Sequence, residues 1–267
     1  MKKLLTLIAS VRFWEKLEIF KAIAKILVMK SLAQEAVCIQ RNGIKIKAGL
    51  RRGQGIWCAI AGGKYEPELP FLIEACANGG TFLDIGANVG VYSLNIARAL
   101  GKQGKVWSFE PNPECFALLK ENIEINKIEN IELCRLAVCD TDGEGFLEAG
   151  DPRGQWNSLK LSHKDKRAGG IQVKTVSLDK FFFNLQPKGR IFIKVDAEGE
   201  EEGIVTGGIE FISKHRPILV LEEIKQKAHS GLHGKLVQLG YVPRSPFKDL
   251  MGAASPNRIY YPQELKT

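Results

Sequence analysis

The sequence predicts an α/β protein with a Rossmann-like, doubly wound and mostly parallel sheet, preceded by an extension of helix and β-hairpin. Three observations predict it. The run Phe82-Leu83-Asp84-Ile85-Gly86-Ala87-Asn88-Val89-Gly90 reads as a short strand entering a glycine-punctuated turn, and Val91, Leu94, Ile96, Ala97 and Leu100 then follow helical spacing. A second apolar strand, Lys105–Phe109, ends at Glu110, twenty residues beyond Gly90. After it, short apolar runs keep alternating with helical segments, the pattern of β-α units whose strands are covered on both faces.

The elements follow in order. Residues 13–28 place Phe13, Leu17, Phe20, Ala24 and Leu27 on one helical face, with Lys21 and Lys25 towards the other. Asn42-Gly43 between Ala36–Arg41 and Ile44–Lys47 signals a hairpin. Residues 50–66 read as loop and short strand. A helix over Glu68–Asn78 is stopped by Gly79-Gly80. Strand 81–85, helix 90–100, strand 105–110, helix 113–126 and strand 130–138 succeed one another, and Asp142-Gly143 is expected to turn a hairpin into Phe146-Leu147-Glu148. The polar, glycine-rich segment 150–170, with Trp156, Asn157, Ser158 and His163, reads as a loop, either plain or an acceptor lid. Strands over 171–177 and 190–196, a helix over about 200–213, a strand over 217–221 ending at Glu222-Glu223, a helix over 229–239 and a strand pair at 240–244 and 257–261 complete the chain.

Charge divides the chain. Residues 1–52 carry twelve Lys/Arg against three Glu, whereas the whole chain of 267 residues is only +8. The remainder, residues 53–267, is close to neutral and is expected to be the catalytic domain. A broad nucleic-acid groove across that domain is therefore not expected. The basic extension leaves open a peripheral contact with an anionic membrane surface. Leu4–Val11 is interrupted by Arg12 and falls short of the roughly 20 apolar residues a spanning helix needs. The six cysteines show no C-x-x-C or Cys/His zinc spacing and sit mostly in apolar runs. Buried free thiols point to a reducing, cytoplasmic compartment.

Ligands of such sheets sit beyond the carboxyl ends of the strands. Asp84, Glu110, Asp196 and Glu222 lie at or near such ends and are expected to converge on one crevice. A dinucleotide fingerprint needs small residues at 86, 88 and 91, but only Gly86 fits, since Asn88 and Val91 carry side chains. An acid just before the turn suits a positive group rather than a phosphate. Glu110 stands where a carboxylate grips the two hydroxyls of a ribose. S-adenosyl-L-methionine has an ammonium, a ribose and a sulfonium and lacks phosphate. In this reading Asp84 and the amides of Gly86, Ala87, Asn88 and Gly90 hold its methionine end and Glu110 its ribose. Asn112 helps at the ribose or caps the following helix, and Ala137 with Val138 borders the adenine or belongs to the core.

The chain resembles the FkbM family of S-adenosylmethionine-dependent methyltransferases in several stretches. These are Tyr65-Glu66-Pro67-Glu68, Phe82–Gly90 with Tyr92-Ser93, Phe109–Pro113, Leu136-Ala137-Val138, Val176–Asp179 and Ile193-Lys194-Val195-Asp196-Ala197-Glu198-Gly199-x-Glu201. The resemblance covers roughly residues 60–225 and implies a class I methyltransferase fold, with a seven-stranded sheet and an antiparallel C-terminal strand. It implies O-methylation of a hydroxyl on a sugar or glycan, polyketide or other small molecule, and adds Tyr92 to the cofactor side. Asp196 then faces both cofactor and acceptor, with Asp196 or Glu198 as the proton acceptor and Glu222 alongside. Glu201 is expected to cap its helix. A divalent Mg held by Asp196, Glu222 and Glu223 is the less favoured alternative. His229 and His233 are expected on a helix surface. Three other readings are a cofactor- or partner-binding module without turnover, a nicotinamide oxidoreductase, and a nucleic-acid methyltransferase.

Overall fold

The computed structural model describes residues 35–40, 42–49, 67–149, 159–162, 170–197, 199–222, 230–244 and 257–265. The expected helix over 13–28, the loop over 50–66, most of the 150–170 loop, and Glu198, Glu223 and His229 lie outside the described residues.

The chain opens on a hairpin, β1 (Glu35–Ile39) and β2 (Lys45–Gly49). α1 (Leu69–Cys76) follows, then β3 (Thr81–Ile85), α2 (Val91–Leu100), β4 (Lys105–Phe109), α3 (Pro113–Asn126) and β5 (Ile131–Cys134). Next come β6 (Ala137–Val138), β7 (Gly143–Ala149), β8 (Leu159–Ser162), β9 (Ile171–Val176) and α4 (Leu178–Phe181). The last third holds β10 (Ile191–Val195), α5 (Glu201–Thr206), α6 (Ile209–His215), β11 (Ile218–Glu222), α7 (Ser230–Gln238), β12 (Tyr241–Arg244) and β13 (Asn257–Pro262).

Among the described residues, seven strands form the main sheet in the order β12-β13-β11-β10-β3-β4-β5. The pairs from β11 through β10, β3 and β4 to β5 are all parallel, while β13 runs antiparallel to both its neighbours. The mostly parallel, seven-stranded α/β sheet with an antiparallel C-terminal strand is thus the observed one. Period-2 alternation sends Phe82, Val106, Phe192 and Val220 to one face, against Leu72, Cys76, Tyr92 and Ile96 of α1 and α2. Leu83, Ile193, Val195 and Leu219 point the other way, onto Leu178, Ile204, Ile212 and Leu236 of α4 to α7. Strands buried on both faces explain why these runs are apolar throughout.

Three expectations need correction. The strand expected over 130–138 is two strands in different sheets, because the chain leaves the main sheet at Arg135-Leu136. Asp142-Gly143 does not turn a hairpin: β9 lies between β6 and β7 in a second, four-stranded sheet ordered β6-β9-β7-β8. The helix expected over 200–213 is broken at Gly207-Gly208 into α5 and α6. A Cβ at Gly207 would lie 2.4 Å from the Cys139 carbonyl oxygen. Asp179 accepts hydrogen bonds from Glu210 N (3.2 Å) and Phe211 N (2.7 Å), which caps α6 afresh.

The hairpin lies against α2 and α3. Ile44 and Ile46 are fully buried beside Val89 and Leu94. Asn122 and Asn126, one helical turn apart, each pair with both backbone groups of a β2 residue, Lys47 and Lys45 respectively. Four helical residues rise about 6 Å and two strand residues about 6.8 Å, so the two amides match the strand's spacing and stand in for a neighbouring strand.

Candidate active site

The candidate site lies beyond the carboxyl ends of β4, β3, β10 and β11, where the acids singled out in the sequence stand. The turn after β3 is shaped by the chain itself. Gly86 has φ +82°, and a Cβ there would lie 1.9 Å from the carbonyl oxygen of Asp196, at the end of β10. Gly90 has φ +94°, and its Cβ would lie 2.4 Å from Leu119 of α3. Backbone conformation favours glycine at both positions, and at Gly86 the neighbouring backbone demands it as well. Asn88 also sits in the left-handed region, at φ 51°.

Four of the five amides of this turn, expected to face a ligand, donate within the chain. Gly86 N and Ala87 N both donate to the Phe109 carbonyl at 3.0 Å, Gly90 N donates to Ala87 O at 2.8 Å, and Asn88 N donates to Glu110 Oε2 at 2.7 Å. Glu110 is a strut as well as a lining group: its other oxygen, Oε1, accepts from Asn112 N at 2.8 Å. One buried carboxylate thus joins the turn after β3 to the turn after β4. Burial pushes its carboxyl up to about 7, against the two amide bonds that favour the charged form. Asn112 caps α3 by accepting from Glu114 N at 2.9 Å.

Asp84 also differs from expectation. It is 1% exposed, and its Oδ2 accepts from the Ser93 amide (2.9 Å) and hydroxyl. Ser93 Oγ continues to Ser108 Oγ at 2.7 Å. The acid before the turn therefore holds the first turn of α2. Burial raises its carboxyl above the ordinary value, despite Ser93 and the cation of Lys194.

Asp196 is the open member of the set, with 37% of its side chain exposed. Its Oδ2 takes a 2.8 Å hydrogen bond from Lys194 Nζ, and Glu222 hydrogen-bonds it from β11. Burial opposes its ionisation, but Lys194 and the Glu222 bond outweigh that and hold its carboxyl below the ordinary value. Asp84 and Asp196 both act electrostatically on Glu110, which places these three of the four strand-end acids within reach of one another's charge.

Sequence reasoning missed what lies beneath. Lys194, in the middle of a central strand, is 2% exposed, with its ammonium 4.8 Å from the centre of the Tyr92 ring. Tyr92 donates its hydroxyl to the fully buried Glu68, which also accepts from Asn257 Nδ2. Tyr92, expected on the cofactor side, is thus a 6% exposed platform for Lys194. The signal was present: a lysine inside a strand buried on both faces requires a partner, and Asp196 two residues on shares its face. Nothing in the sequence marks Asn257 or Glu68 as their company.

The remaining candidates are placed as follows. Ala137 is buried in β6, where it pairs with Thr175 of the second sheet. Glu201 folds back to accept from Ala197 N (3.3 Å) and Gly199 N (3.2 Å), ordering the turn after Asp196. His233 stands 3.4 Å from the Tyr260 hydroxyl. Among the described residues no three His, Cys, Asp or Glu side chains are grouped to hold a metal ion, and no helix is long and apolar enough to cross a membrane.

Comparison with known proteins adds to this geometry. Residues 84–243 match the family model described as the methyltransferase FkbM domain. The hexuronic acid methyltransferase AglP of Haloferax volcanii is 28% identical over 137 residues, 51% of this chain and 53% of that protein. A probable cobalt-precorrin-6B C(15)-methyltransferase (decarboxylating) of Sulfurisphaera tokodaii is 26% identical over 108 residues, 38% of this chain and 56% of that one. The chain thus spans about half the length of the curated relatives it matches. The crystal structure of methyltransferase FkbM from Methylobacillus flagellatus superposes with a TM-score of 0.50 at 14% identity, over 69% of this chain and 44% of that one, a likeness of fold.

Proposed function

The chain belongs to the FkbM methyltransferase family, and from that premise we propose that it is an S-adenosyl-L-methionine-dependent O-methyltransferase acting on a hydroxyl of a sugar, glycan or similar small molecule. The observation that carries the choice of cofactor is the chemical character of the crevice. Four of the five amides from Gly86 to Gly90 already donate within the chain, and carboxylates line the strand ends. Such a crevice is poor in donors and rich in acceptors. It suits hydroxyl, ammonium and sulfonium groups and repels the pyrophosphate of a dinucleotide.

Glu110 binds the ribose in this reading. An ionised carboxylate has about four lone-pair sites, and the amides of Asn88 and Asn112 use one on each oxygen. The second site on each remains for a hydroxyl. Asp84 serves indirectly, by fixing the start of α2 through Ser93. S-adenosylmethionine, when bound, supplies a methyl carbon activated by the sulfonium. Asp196, partly exposed and charged, takes the proton of the acceptor hydroxyl as that oxygen gains its new bond. An aliphatic hydroxyl is too weak an acid to ionise unaided, so a fixed carboxylate at the strand end matters more than a strong one. The relative named for hexuronic acid supports a carbohydrate acceptor.

Isothermal calorimetry on the full chain tests the cofactor. S-adenosylmethionine binds and NAD does not; a preference for NAD overturns the reading. Mass spectrometry of an acceptor panel, for a gain of one methylene, tests the reaction. Cofactor binding with no transfer to any carbohydrate or small-molecule hydroxyl would favour a binding module instead.

A further inference from the structure

Asp84 on β3, Glu110 after β4 and Asp196 after β10 act electrostatically on one another, and Glu222 on β11 joins them through its bond to Asp196. Four neighbouring negative charges repel one another, so some of these groups keep a proton near neutrality. Which one stays charged decides which one is able to accept a proton from a substrate. The fold gives a cation to this cluster from within β10, through Lys194, at 2.8 Å from Asp196.

We infer that Lys194 is the positioning residue of the site: its buried ammonium, seated on the Tyr92 ring, assigns the negative charge of the cluster to Asp196 and fixes that carboxylate towards the crevice. The inference rests on the reading of Asp196 as the proton acceptor.

The geometry argues for this role over a purely structural one. Burying the Lys194 ammonium is no aid to stability by itself, because its desolvation consumes much of the attraction to Asp196. Apolar residues fill the other positions of β10, and a methionine at 194 would fit that pattern at less cost. Instead the chain surrounds the ammonium with a built platform. Tyr92 from α2 lies under it, Glu68 ahead of α1 takes the Tyr92 hydroxyl, and Asn257 from β13 bonds the same Glu68. Asp84, the register partner of Lys194 on β3, is held instead by Ser93 and shielded from solvent. Glu110 is held by two neutral amides. Glu222 hydrogen-bonds Asp196, a contact between two carboxyl groups that requires one proton between them. Lys194 thus places an ammonium directly on Asp196, at 2.8 Å, and balances the charge of that carboxylate.

The test is a carboxyl titration by NMR on the full chain labelled with carbon-13 at the aspartate side-chain carboxyl. It needs neither cofactor nor acceptor. The Asp196 signal is the one lost in D196N. In the native chain it titrates below the ordinary aspartate range. In K194M its midpoint rises by about one to three pH units, the shift expected when an opposite charge at contact is lost. K194R, which restores a cation, returns the midpoint to within about half a unit of the native one, against the full shift of K194M. An unmoved midpoint in folded K194M overturns the inference, and so does a K194R midpoint that matches K194M. E222A separates the two partners if K194M fails to fold. Asp196 still ionised at pH 5 in E222A supports Lys194 as the source of the charge, and Asp196 protonated there shows that Glu222 supplied it and overturns the inference. A chain that binds no S-adenosylmethionine would sink the proposed function and leave this titration to be read as it stands.

Discussion

At the residue scale, single groups carry more than one duty. Gly86 keeps the turn open for β10, whose Asp196 carbonyl fills the space a side chain would take. Gly86→Ala therefore costs more than about 2 kcal/mol, the sum of a left-handed alanine and a backbone clash, read as a lowered midpoint in urea. Glu110 makes the site responsive to pH. Its folded pKa of about 7 lies above the unfolded value of 4.5. Between those values the folded chain retains a proton that the unfolded chain has lost, so this group lowers stability as pH rises through that window. Ribose hydroxyls favour the ionised form. The thermal stabilisation given by saturating S-adenosylhomocysteine is therefore larger at pH 8 than at pH 6, and Glu110→Gln removes most of that difference. The same stabilisation at both pH values in the native chain would remove Glu110 from the ribose site.

At the element scale, the hairpin is joined to the glycine turn by one side chain. Asn122 of α3 pairs with Lys47 N and O and also donates to Val89 O, inside the turn that precedes α2. Asn122→Ala leaves the buried Val89 carbonyl and the part-buried Lys47 backbone groups without this partner and costs about 2–3 kcal/mol. Hydrogen exchange then speeds first at the Lys47 amide, while Asn126→Ala, on an exposed pair, costs less. The hairpin is thus a brace for the glycine turn. Resemblance alone left residues before 50 without a role, because neither asparagine looks like a strand.

At the scale of the whole molecule, the site depends on a sheet covered on both faces. Phe192 and Ile193 are adjacent, 1% exposed each, and belong to opposite core clusters. Phe192→Ala costs about 3–5 kcal/mol and Ile193→Ala about 2–5 kcal/mol. Each is read as a lower midpoint of one cooperative unfolding transition by circular dichroism. If one replacement splits the transition in two, the faces fold as separate units. The cavity made by Phe192→Ala also lies on the face of Lys194, so it loosens the Lys194–Asp196 contact where Ile193→Ala does not.

The strands, most helices, the turn glycines and the acids at strand ends were legible in the sequence, because apolar periodicity, caps and left-handed glycines are local properties of the chain. Strand 105–109 and helix 113–126 fall where spacing and the Asn112 cap place them. Only the tertiary structure decided who meets whom. It spent the amides of the glycine turn on Phe109 and Glu110, turned Asp84 onto Ser93, moved Ala137 into a second sheet and broke a helix at Gly207 against Cys139. It also gathered Glu68, Tyr92, Lys194 and Asn257, which are far apart along the chain, into the platform beneath Asp196. The reason is physical: a buried polar group must find a partner, and which partner it finds is set by the packing of strands and helices, not by the residues beside it.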